Sequence, residues 1–306
     1  MELRQLEYFH AICGELHFTR AADKLGISQP TLSHQIKSLE DEIGTPLFDR
    51  IGKRIALTEA GSVLKSHAAV IFGALRSAKD QIEELHDGER GSLSIGSLPG
   101  ELNHLVASQL VEYNKHFPKI RIKIVAAEDV AEKVIHNELD AAVTLLPVDE
   151  ERLSAIPLYD EQFYLTVSRD HPLAEETSIP FADVQELPVI WFPQDHKCRQ
   201  LIEATCRTTG FVLNPIIETN TIESIMNLVK SGAGVSILSK SLIQLYNDGH
   251  VRAIPIVDPV LHRQVVIIYN RDKFLSRSVR AFIDLLGQFV EDHHIREGLF
   301  ANGSGA

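Results

Sequence analysis

Residues 28–44 read SQPTLSHQIKSLEDEIG. Ser28 is an N-cap residue type, with a hydroxyl that can accept from an unsatisfied N–H of a first helical turn. Pro30 falls in that turn, where a missing N–H does no harm. Leu32, Ile36, Leu39 and Ile43 follow at helical spacing and predict one buried face. Just upstream, Gly26 closes a short helix, RAADKL, because glycine takes the left-handed turn cheaply. Ala21, Ala22 and Leu25 share one side of that helix and Thr19 is its expected N-cap. Before it, LRQLEYFHAICG sets Leu3, Leu6, Phe9, Ile12 and Cys13 at helical spacing. Helix, glycine turn, capped helix predicts a helix-turn-helix, a motif that lays its second helix in the DNA major groove. Downstream, PLFDRIGKRIALTEAG carries a basic, glycine-containing tip between Phe48 and Leu57 and reads as a short β-wing.

The chain as a whole is acidic. Its 306 residues hold 30 lysines and arginines against 42 aspartates and glutamates, a formal charge of −12. That balance excludes a protein coating nucleic acid along its whole length, but not one with a small DNA-reading domain. Residues 1–58 hold seven basic and eight acidic residues, a net of −1, which leaves −11 for the remainder. Within 28–44 the acids cluster at Glu40–Glu42, away from the start of the helix. Three cysteines, Cys13, Cys198 and Cys206, make no disulfide framework and fit a reducing compartment. No basic-then-apolar leader opens the chain and no apolar run nears the roughly 20 residues of a membrane span. A cytoplasmic protein without membrane contact is expected, with a small, polar, disordered tail at 301–306.

Across residues 59–87, Leu64, Ala68, Ile71, Leu75, Ala78, Ile82 and Leu85 recur at alternating spacings of 4 and 3. This heptad seam predicts a helix paired with its copy in a dimer; the plainer alternative is one amphipathic helix lying on a neighbouring core. A polar hinge occupies 88–91. Beyond it, apolar strand-like runs alternate with helical stretches in two series, and a final helix covers SVRAFIDLLGQFVEDHH. Such alternation predicts α/β architecture with parallel strands, in two lobes with a ligand-binding cleft between them.

The run FTRAADKLGISQPTLSHQIKSLEDEIGTPLFDR, followed by LTEAG, closely resembles the signature of LysR-type transcriptional regulators. RGSLSIG, HPL at 171–173, GF at 210–211 and SGAGVSIL are similar to that family's effector domain; Ser239 stands where the family usually has proline. The resemblance spans essentially the whole chain. It implies a winged helix-turn-helix over 1–58, a dimerising linker helix over 59–87, and a two-lobed effector domain of periplasmic-binding-protein type over 92–300. Lobe I would take about 92–161 and 266–295, lobe II about 162–265, with crossings near 161–163 and 262–265. It implies a regulator, an activator in the first instance, that assembles as a dimer of dimers and binds double-stranded DNA at a partial inverted repeat. A small-molecule effector and RNA polymerase are the other implied partners; no cofactor, metal or catalytic residue is expected.

DNA reading needs side chains on base edges and neighbours on phosphates. Gln29, Pro30, Thr31, Ser33, His34 and Lys37 lie away from the apolar face of the second helix, and Arg50, Lys53 and Arg54 lie on the wing. The family's contacts fall on these same positions. For the effector, the resemblance points to the loop after the first strand of lobe I, Ser97, Leu98, Pro99 and Gly100. There, free N–H groups and a helix start can hold an anionic metabolite. It points also to Thr144, Pro193 and the cluster Thr219, Asn220 and Thr221; Ala127 replaces a hydroxyl residue found in several members with aromatic-acid effectors. An alternative of the same fold is a redox sensor using Cys198 and Cys206, with Lys197 and Arg199 lowering the thiol pKa. His196 with Cys198 is too few ligands for zinc, and His293 and His294 read as exposed tail residues. A solute-binding protein would leave 1–58 unexplained, and no hydrolase, Walker A or dinucleotide motif supports an enzyme.

Overall fold

The computed structural model describes residues 1–51, 54–86, 91–246 and 248–292. It divides into two compact units, Met1–Lys79 with His136–Glu138, and Asp80–Ile135 with Leu139 onward.

The first unit opens with α1 (Leu3–Glu15), α2 (Phe18–Leu25) and α3 (Gln29–Ile43). Phe9, Ile12, Ala21, Leu32, Ile36 and Leu39 are fully buried where the three helices meet. Ser28 Oγ accepts from the Thr31 N–H at 3.3 Å and caps α3, while Gly26 and Gly44 take left-handed φ values of 67° and 82° at the ends of α2 and α3. Three local expectations are corrected. The cap of α2 is His17, whose Nδ1 accepts from the Arg20 N–H at 3.4 Å, and Thr19 lies inside the helix. Leu3 and Ile43 end up exposed, because each sits at a helix end beyond the reach of the core.

The wing follows as a hairpin of β1 (Phe48–Ile51) and β2 (Arg54–Leu57). Phe48 anchors it, its ring 5.3 Å from that of Phe9 and 6.0 Å from that of Phe18. Glu40 Oε1 accepts from the Leu47 and Phe48 N–H groups, and Glu42 pairs with the N-terminal ammonium. Two of the three acids at the end of α3 thus fasten the chain. The long helix α4 (Glu59–His86) starts at Thr58, whose Oγ1 accepts from the Gly61 N–H at 2.9 Å. A Cβ on Gly61 would lie 2.1 Å from the Leu47 carbonyl, so only glycine permits this approach. The heptad seam does not keep one environment along α4. Leu64 packs on the helix-turn-helix core and Ala68 is buried, whereas Ile71, Leu75, Ala78 and Ile82 are exposed. The Leu85 side chain falls outside the described set.

The second unit contains β3 (Gly91–Ser97), α5 (Pro99–Glu101) running through a π-helical turn into α6 (Ala107–His116), β4 (Ile120–Ala126), α7 (Val130–Ile135) and β5 (Ala141–Leu145). There follow β6 (Leu153–Ser168), β7 (Ile179–Pro180), β8 (Ile190–Trp191), α8 (Lys197–Thr209), β9 (Ile217–Glu218), α9 (Ile222–Lys230) and β10 (Ser236–Ser239). The order ends with α10 (Lys240–Tyr246), β11 (Val251–Val257), β12 (His262–Asn270) and α11 (Arg277–Asp292). The main sheet runs β4-β3-β5-β12-β6-β11-β7, with β10 also paired to β6. β6 makes the two lobes. Its first half pairs with β12 through Gln162, and its second half pairs with β10 and β11 from Phe163 onward. On β6 the change of partners falls between Gln162, opposite His262, and Phe163, whose N–H donates to the Leu261 carbonyl at 2.9 Å. Parallel β8 and β9 extend lobe II through a Val189–Val235 bridge. The sequence pattern misses the first half of β6, α10 and β11.

Candidate functional site: a DNA-facing helix and a hinge cavity

On α3 the apolar residues face inward and leave Gln29, Pro30, Thr31, His34 and Lys37 exposed, with Ser33 half-buried. The Thr31 hydroxyl is 2.7 Å from Ser28 Oγ, so it serves the cap and leaves its methyl for an apolar contact. Arg50 and Arg54 lie on the paired strands of the wing with side chains outside the described set, and Lys53 lies outside the described residues.

The second feature is a cavity of about 130 Å³ at the hand-over between lobes. Leu98, Pro99, Gly100, Asn220 and Thr221 line it, so five of the nine expected effector positions come together. Four do not line it. Ser97 is fully buried and donates to the Leu98 carbonyl at 3.0 Å. Thr144 is buried within β5, paired with Val266. Pro193 forms the turn into α8, its carbonyl accepting from the His196 N–H at 3.1 Å, and the Thr219 N–H donates to the Trp191 carbonyl at 3.0 Å.

The rest of the lining was not legible as a local motif. Arg263 and Glu161 are register partners on β12 and β6, both almost fully buried. Glu161 Oε1 accepts from Arg263 Nε at 2.6 Å and from the Ser241 hydroxyl at 2.9 Å; its Oε2 accepts from the Ser241 N–H at 3.0 Å. Burial alone would raise the Glu161 pKa, but Arg263 and the Ser241 bonds outweigh it and hold the carboxyl below its usual range. Burial likewise opposes the Arg263 charge, yet Glu101 and Glu161 keep its pKa well above the ordinary value. Glu101 Oε2 accepts from Tyr159 at 2.6 Å. Its Oε1 lies 2.7 Å from Arg263 Nη2, an ion pair without hydrogen-bond direction, and has no hydrogen-bond partner.

Across the cavity, Glu128 Oε2 accepts from the Lys197 N–H at 2.9 Å and so answers the N-terminus of α8. Burial raises the Glu128 pKa despite that bond. His196 caps the same helix: its Nδ1 accepts from the Cys198 N–H at 3.2 Å, its Nε2 faces Glu128 Oε1 at 3.5 Å, and its ring stacks on Phe192 at 3.7 Å. Burial, then Arg263, pushes its pKa down to about 4, so the imidazole is neutral at pH 7.

Cys198 also lines the cavity, with its Sγ 3.6 Å from Arg263 Nη1. Burial pushes its thiol up to about 12. One expected activator acts elsewhere: Arg199 is held by Glu203 and Glu218 and lies over the Trp191 ring at 5.1 Å, and Arg263 is the cation beside the thiol. Cys206 is a packed core residue. Among the described residues, no group of three or more His, Cys, Asp or Glu side chains is placed to hold a metal ion, and no helix is long and apolar enough to cross a membrane.

A winged helix-turn-helix, a long helix and a two-lobed domain with a cavity at its hinge define a class: DNA-reading proteins with an effector domain of periplasmic-binding-protein type. Residues 3–62 match the model of the bacterial regulatory helix-turn-helix protein, lysR family, and residues 86–291 match the LysR substrate binding domain. The chain belongs to the LysR family of DNA-binding transcriptional regulators. It is 28% identical over 295 residues to the dual regulator OxyR of Escherichia coli K12, covering 93% of this chain and 96% of that protein. It is 29% identical over 303 residues to the RuBisCO operon transcriptional regulator of Allochromatium vinosum, covering 97% and 99%. A cysteine-to-aspartate variant of full-length OxyR from Pseudomonas aeruginosa superposes with a TM-score of 0.69 at 26% identity, covering 95% of each chain. Full-length CbnR bound to its target DNA shares the fold, with a TM-score of 0.66 at 20% identity over 94% of this chain and 99% of that one.

Proposed function

We propose that this chain is a transcriptional activator that reads a partial inverted repeat through Gln29, Pro30, Thr31, Ser33, His34 and Lys37, assisted by the wing, and responds to a small molecule bound in the hinge cavity. The observation that carries the reading is the placement of the cavity. It is lined by Leu98–Glu101 and Arg263 from one lobe and by Phe192, His196 and Asn220–Glu223 from the other, so a molecule bound there favours one interlobe angle over another. The domain limits expected from the sequence, a dimer of dimers built on α4, and contact with RNA polymerase belong to the same proposal. The exposed Ile71, Leu75 and Ile82 are the apolar stripe that a second copy would cover.

A thermal-shift screen of metabolites against the full-length chain tests it, because a ligand that binds only the folded state raises stability. Gly100→Leu is the matched control. The three atoms nearest a Cβ there all belong to the Leu242 side chain, the first at 3.0 Å, and Gly100 lines the cavity, so a larger residue is directed at a side chain that can give way and narrows the cavity. Hits should lose their shift in this variant while DNA binding persists; equal shifts in both proteins would refute cavity binding.

A second reading is favoured by one observation, a cysteine beside an arginine in the cavity of a chain similar to hydrogen peroxide-inducible genes activators. Against it stands the thiol itself. With a pKa of about 12, only about one thiol in 10⁵ is ionised at pH 7. Cys198 and Cys206 also sit eight residues apart on continuous α8, about 12 Å along its axis, beyond the reach of a disulfide without unwinding the helix. Cys198→Ser should leave DNA binding unchanged by peroxide; loss of a wild-type peroxide response in this variant would install the redox reading instead.

A further inference from the structure

In the hinge cavity, each feature that would seat an anion already carries a carboxylate of this chain. The Arg263 guanidinium is paired with Glu161 and Glu101. The N-terminus of α8 receives Glu128, and the first turn of α9 carries Glu223 beside its Thr221 cap. Among the described residues, Glu101, Glu128 and Glu223 line the cavity against Arg263 as the one cationic lining side chain, since His196 is neutral at pH 7. An entering carboxylate would meet three carboxyl groups against one guanidinium, in a site where low dielectric strengthens repulsion. This points to the opposite charge from the anionic effector expected from the loop at Ser97–Gly100. Glu101 supplies a second sign: it is 1% exposed, it lines the cavity, and its Oε1 is ion-paired with Arg263 Nη2 at 2.7 Å but accepts no hydrogen bond. A buried acceptor oxygen left in that state gains from a donor brought by a ligand. The remaining walls, Leu98, Leu242, Ile222, Phe192 and Tyr246, are apolar or aromatic and suit a hydrocarbon body and an ammonium head. The carboxylates are not grouped for a metal ion.

We propose that the hinge cavity takes a small organic cation, a primary amine with an apolar body, its ammonium donating to Glu101 and seated in the field of Glu128 and Glu223. This rests on the reading of the cavity as the effector site. Two matched triads test it by thermal shift and calorimetry on the full-length chain: benzylammonium, benzoate and benzyl alcohol; and pentylammonium, pentanoate and pentanol. The ammonium of each triad should bind at least tenfold more tightly than its carboxylate. Glu223→Gln, an exposed change that spares the fold, should weaken ammonium binding by about threefold. Glu128→Gln should weaken it by about tenfold. Tighter binding of the carboxylates or alcohols, abolished by Gly100→Leu, overturns the cation and leaves the cavity reading standing. Binding of any probe that is untouched by Gly100→Leu overturns both. Failure of every probe to bind at 10 mM, roughly the weak limit for fragments of this size, overturns the cation alone when the metabolite screen yields a hit sensitive to Gly100→Leu, and both when it yields none.

Discussion

The recognition helix and the hinge cavity solve opposite problems. In α3 the residues proposed to act are exposed, contiguous and ordinary: a cap, a proline, and polar side chains on the outer face of an amphipathic helix. At the hinge they are buried and charged, and they come from α5, the loop before α7, α8, β6, α10 and β12, whose members Glu101 and Arg263 lie far apart in the chain. The first site is held by a hydrophobic core behind it, so single exposed residues there other than the Ser28 cap can change without cost to the fold. The second holds itself together through its own charges, so removing one partner strands the others.

That contrast is broken most directly at Arg263. Arg263→Met leaves Glu161 and Glu101 buried without their cation and should cost about 3–5 kcal/mol, read by urea unfolding of the single tryptophan, Trp191, which is fully buried in the effector domain. A change below 1 kcal/mol would mean that the cluster is not a structural unit. The next largest effect is in acid. The His196 pKa falls from 6.5 to about 4 on folding, so its stabilising contribution is complete above pH 6.5 and lost as the pH falls toward 4. Protonating Nδ1 also destroys the acceptor that caps α8. Glu128, with its raised pKa, works in the opposite sense, its desolvation cost easing as it gains a proton. His196→Asn keeps a capping acceptor and removes the titration. Between pH 6.5 and 4 the wild type should lose up to about 3 kcal/mol more than this variant; parallel pH profiles would show that His196 is not held neutral.

The helix side gives smaller numbers. Ser28→Ala removes the cap of α3 and should cost about 1 kcal/mol, with a several-fold loss of operator affinity that Ser28→Asp restores in part through its capping carboxylate. Lys37→Gln, on the outer face, should leave stability alone and lower the salt slope of DNA binding by about 0.9 per subunit. An unchanged slope would remove Lys37 from the phosphate contacts.

The same contrast governs what the sequence discloses. Ser28, Pro30 and the Leu32–Ile36–Leu39 repeat encode α3 within a single stretch, so helix, cap and outer face are all legible there. Gly100 and Thr221 were found at the cavity because loop and cap chemistry is local. Glu101, Glu128 and Arg263 carry no such mark. Glu101 and Arg263 become a site only when α5 approaches the β6–β12 hand-over, and a lone arginine in RQVVIIYN reads as a strand end. The heptad seam shows the limit of periodicity. Its repeat is regular, yet Ala68 is buried within the chain while Leu75 and Ile82 are exposed. The acids at the end of α3 look like a solvated patch, and one of them, Glu40, anchors the wing.

Footprinting of the full-length chain on a genomic fragment that it selects, with and without a ligand that binds the cavity, joins the two regions in one measurement. The account predicts a dyad-symmetric core of protection that persists in both states, with flanking protection or DNA bending that changes when ligand is added and does not change in Gly100→Leu. A footprint lacking dyad symmetry, or one identical in every ligand state, would contradict it.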